Sequence, residues 1–150
     1  MTLLMMKIST KGRYALRVMV ELARQTDDRP VALRAVAERQ NVTLKYLESI
    51  IAMLVKERLV TSIRGKSGGY LLSRAASQYS VYEILRATEG GLEPVQCLAE
   101  DAPTCPMESR CPTLPVWKGL NKVVRDYLEG ITLEDIAELP SGEFSYCDGI

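Results

Sequence analysis

The sequence predicts a mainly α-helical protein carrying one small β hairpin, and three observations lead to that class. Apolar residues recur at helical spacing in four segments, and two further segments open with helix-capping residues. The stretch LVTSIRGKSGGYLLSR breaks this pattern, with two short β-like runs around a glycine-rich tip. Short polar joints separate the segments, with no internal repeat and no low-complexity run.

Residues 1–6 read as a leader with alternative starts, and the ordered pattern begins near Lys7. In KGRYALRVMVELARQ, Leu16, Met19, Val20 and Ala23 fall at i, i+3, i+4 and i+7, one face of a helix that residues 27–30 bring to an end. A second helix fits VALRAVAERQ with Leu33, Val36 and Ala37 inward. A third fits TLKYLESIIAMLVKERL with Leu47, Ile50, Ile51, Leu54 and Val55 inward. Asn41 and Val42 alone separate the two, and Thr43 is the expected N-cap. Two helices so tightly joined form a helix-turn-helix, whose second helix enters a DNA major groove. Strand-like runs at residues 59–63 and 70–73 follow at once, which makes the unit a winged helix.

The tip sequence GKSGG resembles part of a phosphate-binding P-loop, but Val60 stands where that motif needs its first glycine, and a strand-like GYLL follows instead of a helix. The glycines instead suit a hairpin in which Arg64 and Lys66 face a phosphate backbone or a minor groove. A fourth helix starts at the capping box Ser80-x-x-Glu83 and stops at Gly90-Gly91. After a cysteine-containing loop, Thr113 is the expected cap of a fifth helix striped by Leu114, Trp117, Leu120, Val124 and Leu128. A short sixth helix begins at Thr132-x-x-Asp135, and SGEFSYCDGI reads as a loose tail. The fifth helix lies beyond the loop, so its stripe is expected to bury against a second copy of the chain. A two-fold dimer would present two recognition helices to two half-sites.

The resulting plan is a winged helix-turn-helix DNA-binding domain over residues 1–90, a cysteine loop over 91–112, and a long C-terminal dimerisation helix with a tail over 113–150. Charge follows the same division. Residues 1–90 hold 15 Lys and Arg against 8 Asp and Glu, a balance of +7, while residues 91–150 hold 4 against 11, a balance of −7. A basic N-terminal part and an acidic C-terminal part fit a nucleic-acid partner on the first side.

At 150 residues the chain buries a core without disulfide staples, so its four cysteines need another reason. No signal-peptide pattern opens it, and no apolar run reaches the roughly 20 residues that cross a bilayer, so the expected location is cytoplasmic, with no membrane partner. In a reducing compartment cysteines serve metal binding or redox sensing, or remain free. Three of the four lie in CLAEDAPTCPMESRC, as Cys97, Cys105 and Cys111. An enzyme is disfavoured by the lack of any histidine for general base work, of Cys-x-x-Cys, and of a dinucleotide fingerprint.

The segments KISTKGRYALR, AERQNVTLKYLESI, LVTSIRGKSGGYLLSR, SVYEILRATEG and ITLEDIAEL together resemble the Rrf-two (Rrf2) family of bacterial transcription regulators. The resemblance implies a dimeric winged-helix repressor or activator, bound to a double-stranded operator. Its recognition helix would start near Thr43, with Lys45, Tyr46, Glu48 and Ser49 on the exposed face, and its wing would reach the minor groove near Arg64. Lys45 suits phosphate or guanine; Glu48 accepts from cytosine and repels phosphate. Lys11, Arg13 and Tyr14 open the first helix, where backbone phosphate contacts are expected.

The resemblance also implies that Cys97, Cys105 and Cys111 ligate an iron-sulfur cluster whose assembly orders the loop. The family's fourth-ligand positions hold Leu114 and Arg13 here, so a 2Fe-2S and a 4Fe-4S cluster both stay open. Remaining donors are Glu100, Asp101, Glu108, a backbone or water ligand, or Cys147. A cluster held this way is expected to respond to oxygen, nitric oxide or iron supply. Two alternatives stand beside it: a zinc site, disfavoured by the x7 and x5 spacings, and thiol oxidation. The cluster-free alternative is a CymR-like regulator of cysteine metabolism working through a protein partner.

Overall fold

The computed structural model of the protein describes residues 7–140. The expected leader, the expected loose tail and Cys147 lie outside the described residues. Among the described residues six helices run in chain order: α1 (Thr10–Ala23), α2 (Leu33–Gln40), α3 (Leu44–Lys56), α4 (Val81–Glu89), α5 (Leu114–Glu129) and α6 (Leu133–Ala137). A hairpin of β1 (Val60–Ile63) and β2 (Gly69–Leu72) lies between α3 and α4.

Local chemistry accounts for most of the boundaries. Ser9 caps α1 by accepting the Gly12 N–H at 3.1 Å, and Thr43 caps α3 by accepting the Tyr46 N–H at 3.2 Å. Asn41 closes α2 in the left-handed region, φ 51°, where asparagine is better tolerated than most residues. Thr132 and Asp135, at the expected start of the sixth helix, form a complete reciprocal capping box. At α4 only half of the box forms. Ser80 accepts the Glu83 N–H, but the Glu83 carboxylate pairs with Arg74, whose guanidinium is a stronger partner than a backbone N–H. Thr113 makes no cap hydrogen bond; its hydroxyl lies 3.5 Å from the Cys111 sulfur, and a proline in the first turn helps to set the start of α5.

The main core is built by Ala15, Val18, Met19 and Leu22 of α1, Leu33, Val36 and Ala37 of α2, Leu47, Ile50, Ile51 and Leu54 of α3, and Ile84 of α4. Leu133 from α6 is fully buried in the same cluster. The expected faces of α2 and α3 hold, apart from half-buried Val55. The α1 face is rotated: Leu16, Val20 and Ala23 flank a centre at Ala15, Val18, Met19 and Leu22. The reason is that α1 is enclosed on more than one side, with Leu16 also packing on a second cluster of Val81, Leu85 and Leu92.

The hairpin is antiparallel, pairing Val60 with Leu72 and Ile63 with Gly69. Val31 adds a short third rung, exchanging two 2.9 Å hydrogen bonds with Tyr70. This close approach requires Gly69, since a Cβ there would sit 2.4 Å from the Val31 carbonyl oxygen. At the tip Gly65 has φ +115°, a conformation open to glycine and strained for other residues.

α5 has no fully buried residue. Its predicted stripe is half-buried, with Leu128 packed on the second cluster, and Val116, Val123 and Tyr127 are 60, 66 and 68 % exposed.

Candidate functional site

The turn between α2 and α3 presents the start of α3 to solvent. Lys45, Glu48 and Ser49 are exposed there, as predicted. Tyr46 is half-buried instead: its ring meets Tyr14 edge-on at 5.8 Å and 87°, and the Arg17 guanidinium lies 5.1 Å from the Tyr14 ring centre. This stack joins α1 to α3. The Ser49 hydroxyl donates to the Tyr46 carbonyl at 2.6 Å, and the Thr43 hydroxyl is taken by the cap. Tyr46, Ser49 and Thr43 therefore have structural duties, while the Lys45 and Glu48 side chains are exposed.

Lys11 and Arg13 are exposed on the first turns of α1, beside the Tyr14 contact that brings this end of α1 next to α3. Arg64 and Lys66 are exposed at the wing tip. The wing is braced at its root by Tyr79, which is 1 % exposed and donates its phenol to the Leu59 carbonyl at 2.7 Å. The Tyr79 phenol oxygen in turn accepts the Arg74 N–H at 3.1 Å, and the Arg74 guanidinium covers the ring at 4.1 Å.

The cysteine loop is extended chain interrupted by short 3-10 turns at Gln96–Leu98 and Glu108–Arg110. Cys97, Cys105 and Cys111 are free thiols; the first two are exposed and the third partly so. All three line one pocket of about 190 Å³, together with Glu108 and Leu114. The other two candidate carboxylates, Glu100 and Asp101, do not line it, and Glu100 is engaged by Arg86 at 2.6 Å. Cys111 lies just before α5. Hydrogen bonds from the Thr113 hydroxyl, then from the Thr113 and Leu114 N–H groups, hold its thiol below the usual cysteine range. Three thiols and a carboxylate suit iron by chemistry. Among the described residues, however, no three His, Cys, Asp or Glu side chains stand close enough to form a ligand set as the loop is folded.

Sequence reasoning missed one contact at this end of the molecule. Glu89, the last residue of α4, accepts the Ser9 N–H at 2.8 Å and the Ser9 hydroxyl at 2.7 Å. The signal for Ser9 was available, a serine immediately before a helical run; nothing local pointed to its partner 80 residues away.

Residues 8–139 match the family model Rrf2, described as iron-dependent transcriptional regulator. The chain is 34 % identical over 131 residues to the HTH-type transcriptional regulator IscR of Pectobacterium carotovorum, covering 87 % of this chain and 79 % of the relative. Among solved structures it is similar to CymR, the global cysteine regulator of B. subtilis, at 37 % identity and TM-score 0.71, covering 87 % of this chain and 95 % of that one. It is also similar to T. potens IscR, at 34 % identity and TM-score 0.68, covering 91 % of this chain and 93 % of that one. Among the described residues no helix is long and apolar enough to cross a membrane. With its helix-turn-helix, its two-stranded wing and this match over nearly its whole length, the chain belongs to the Rrf2 family and is a DNA-binding transcription regulator, not an enzyme.

Proposed function

We propose that this regulator works in the cytoplasm as a homodimer whose DNA affinity or site choice is set by an iron-sulfur cluster on Cys97, Cys105 and Cys111. The observation that carries the reading is that these three free thiols line a single pocket lying directly before α5. Thiolates are the usual ligands of iron-sulfur iron, and closing them on a cluster would draw the loop between α4 and α5 into one shape. The likeness to IscR proteins supports the same reading. The dimer rests on α5, whose Val116, Val123 and Tyr127 stay exposed, with no covering partner among the described residues. Lys11, Arg13, Lys45, Arg64 and Lys66 are the proposed phosphate and base contacts, with Glu48 discriminating among bases.

The test is anaerobic purification, with the visible spectrum recorded beside iron, sulfide and zinc content per chain. A brown protein holding iron and sulfide, and bleaching in air, supports the cluster. A protein that stays colourless after reconstitution with iron and sulfide overturns it. A second reading, cluster-free thiol sensing, draws on the likeness to CymR and on the accessibility of Cys97 and Cys105. Loss of two thiols on mild oxidation, coupled to a change in DNA affinity and without iron, would favour it.

A further inference from the structure

We propose that Glu89 is the positioning residue through which the cysteine loop acts on the DNA-binding face. This inference rests on the reading above, that the loop controls DNA binding, and names the physical connection.

The geometry runs through few atoms. Glu89 ends α4, and Gly90 follows in the left-handed region at φ 76°. A Cβ at Gly90 would meet nothing within 4 Å, so backbone conformation rather than crowding favours glycine there. The cysteine loop leaves from this point. On the other side, one oxygen of the Glu89 carboxylate accepts both the N–H and the hydroxyl of Ser9, and the Ser9 hydroxyl in turn accepts the Gly12 N–H. The carboxylate therefore sits at the N-terminus of α1, where the helix dipole favours negative charge, in a half-buried setting.

Gly12 shows how closely the carboxylate is fitted. A Cβ on residue 12 would lie 2.1 Å from the Glu89 oxygen, so the absence of a side chain there admits the carboxylate. Lys11 and Arg13, the proposed phosphate contacts on α1, flank Gly12 in the same first turn. A change in the loop that shifts the last turn of α4 moves Glu89, and with it both the aim of that turn and the negative charge beside it.

The experiment measures operator affinity in four backgrounds, wild type, Glu89→Ala, Glu89→Gln and Gly12→Ala, each reconstituted anaerobically with iron and sulfide and each prepared both with the loop intact and with Cys97→Ala added. The readout is the ratio of affinities between the intact-loop and the Cys97→Ala form in each background. A purely structural role for Glu89 would lower both members of a pair together and leave this ratio unchanged. In the wild-type background a coupled system gives a ratio on the order of 5–150-fold. The expected result is that this ratio falls toward one in Glu89→Ala and in Gly12→Ala, which displaces the carboxylate from the opposite side. Glu89→Gln, which keeps an acceptor oxygen, restores part of it. Ratios in Glu89→Ala and Gly12→Ala equal to that of wild type overturn the role of Glu89 and leave loop control intact. A wild-type ratio of one, with iron and sulfide bound, overturns loop control itself.

Discussion

The phenol of Tyr79 and the carbonyl of Leu59, 20 residues apart, share a 2.7 Å hydrogen bond at the root of the wing. Leu59 precedes β1 and Arg74 follows β2, so one buried ring clamps both ends of the hairpin through the Leu59 carbonyl and the Arg74 N–H. Replacing Tyr79 by Phe removes both bonds while keeping the ring. Because the Leu59 carbonyl keeps a second donor, the Ser73 N–H at 3.2 Å, the expected loss is about 1–2 kcal/mol. Thermal unfolding should register it as roughly 2–4 °C per kcal/mol for a chain of this size.

Arg64 and Lys66 are exposed at the tip of that clamped wing. Each replaced by Ala should weaken operator binding and reduce the slope of log affinity against log salt by about one unit if it meets a phosphate. A titration of binding against salt concentration checks this. An unchanged slope would remove that residue from the phosphate contacts.

Val123 and Tyr127 stand on α5 with two thirds of their surface in solvent. Replacing either by Asp should leave the stability of the isolated chain within about 0.5 kcal/mol, as for ordinary surface changes, while shifting a dimer to monomer. Sedimentation equilibrium reads the outcome. Variants that sediment as wild type would move the dimer contact off this face.

Among the loop carboxylates, Glu108 lines the thiol pocket while Glu100 is held by Arg86. If a carboxylate completes the cluster, Glu108→Ala should lower the iron and sulfide retained per chain and alter the visible spectrum, and Glu100→Ala should not. The reverse pattern would require the loop to rearrange enough to break the Arg86 pair.

The Thr113 hydroxyl is the largest influence lowering the Cys111 thiol, ahead of the backbone N–H groups. A lowered thiol ionises at lower pH, so alkylation of Cys111 in metal-free protein should rise at lower pH than in a free cysteine peptide. In Thr113→Val that profile should move to higher pH, read by mass spectrometry of the alkylated peptide. An unmoved profile would mean the hydroxyl does not hold the thiolate.

Much of the fold was legible in the chain because it depends on near neighbours. Thr43 and Thr132 cap helices through N–H groups three residues away, and the faces of α2 and α3 follow from spacing within one helix. The wing follows from glycines at a tip between two short apolar runs. The exposed basic residues and the three thiols were equally legible as candidates, since side-chain chemistry travels with the sequence. Tertiary structure decided where those groups have competing partners. It turned Glu83 toward Arg74, took Tyr46 into a stack with Tyr14, and enclosed α1 so that Ala15 and Val18 lie at the centre of its face. It also gathered the three thiols and Glu108 around one pocket and set Glu89 on Ser9. Those choices depend on groups up to 80 residues apart, whose meeting is decided by packing rather than by local propensity.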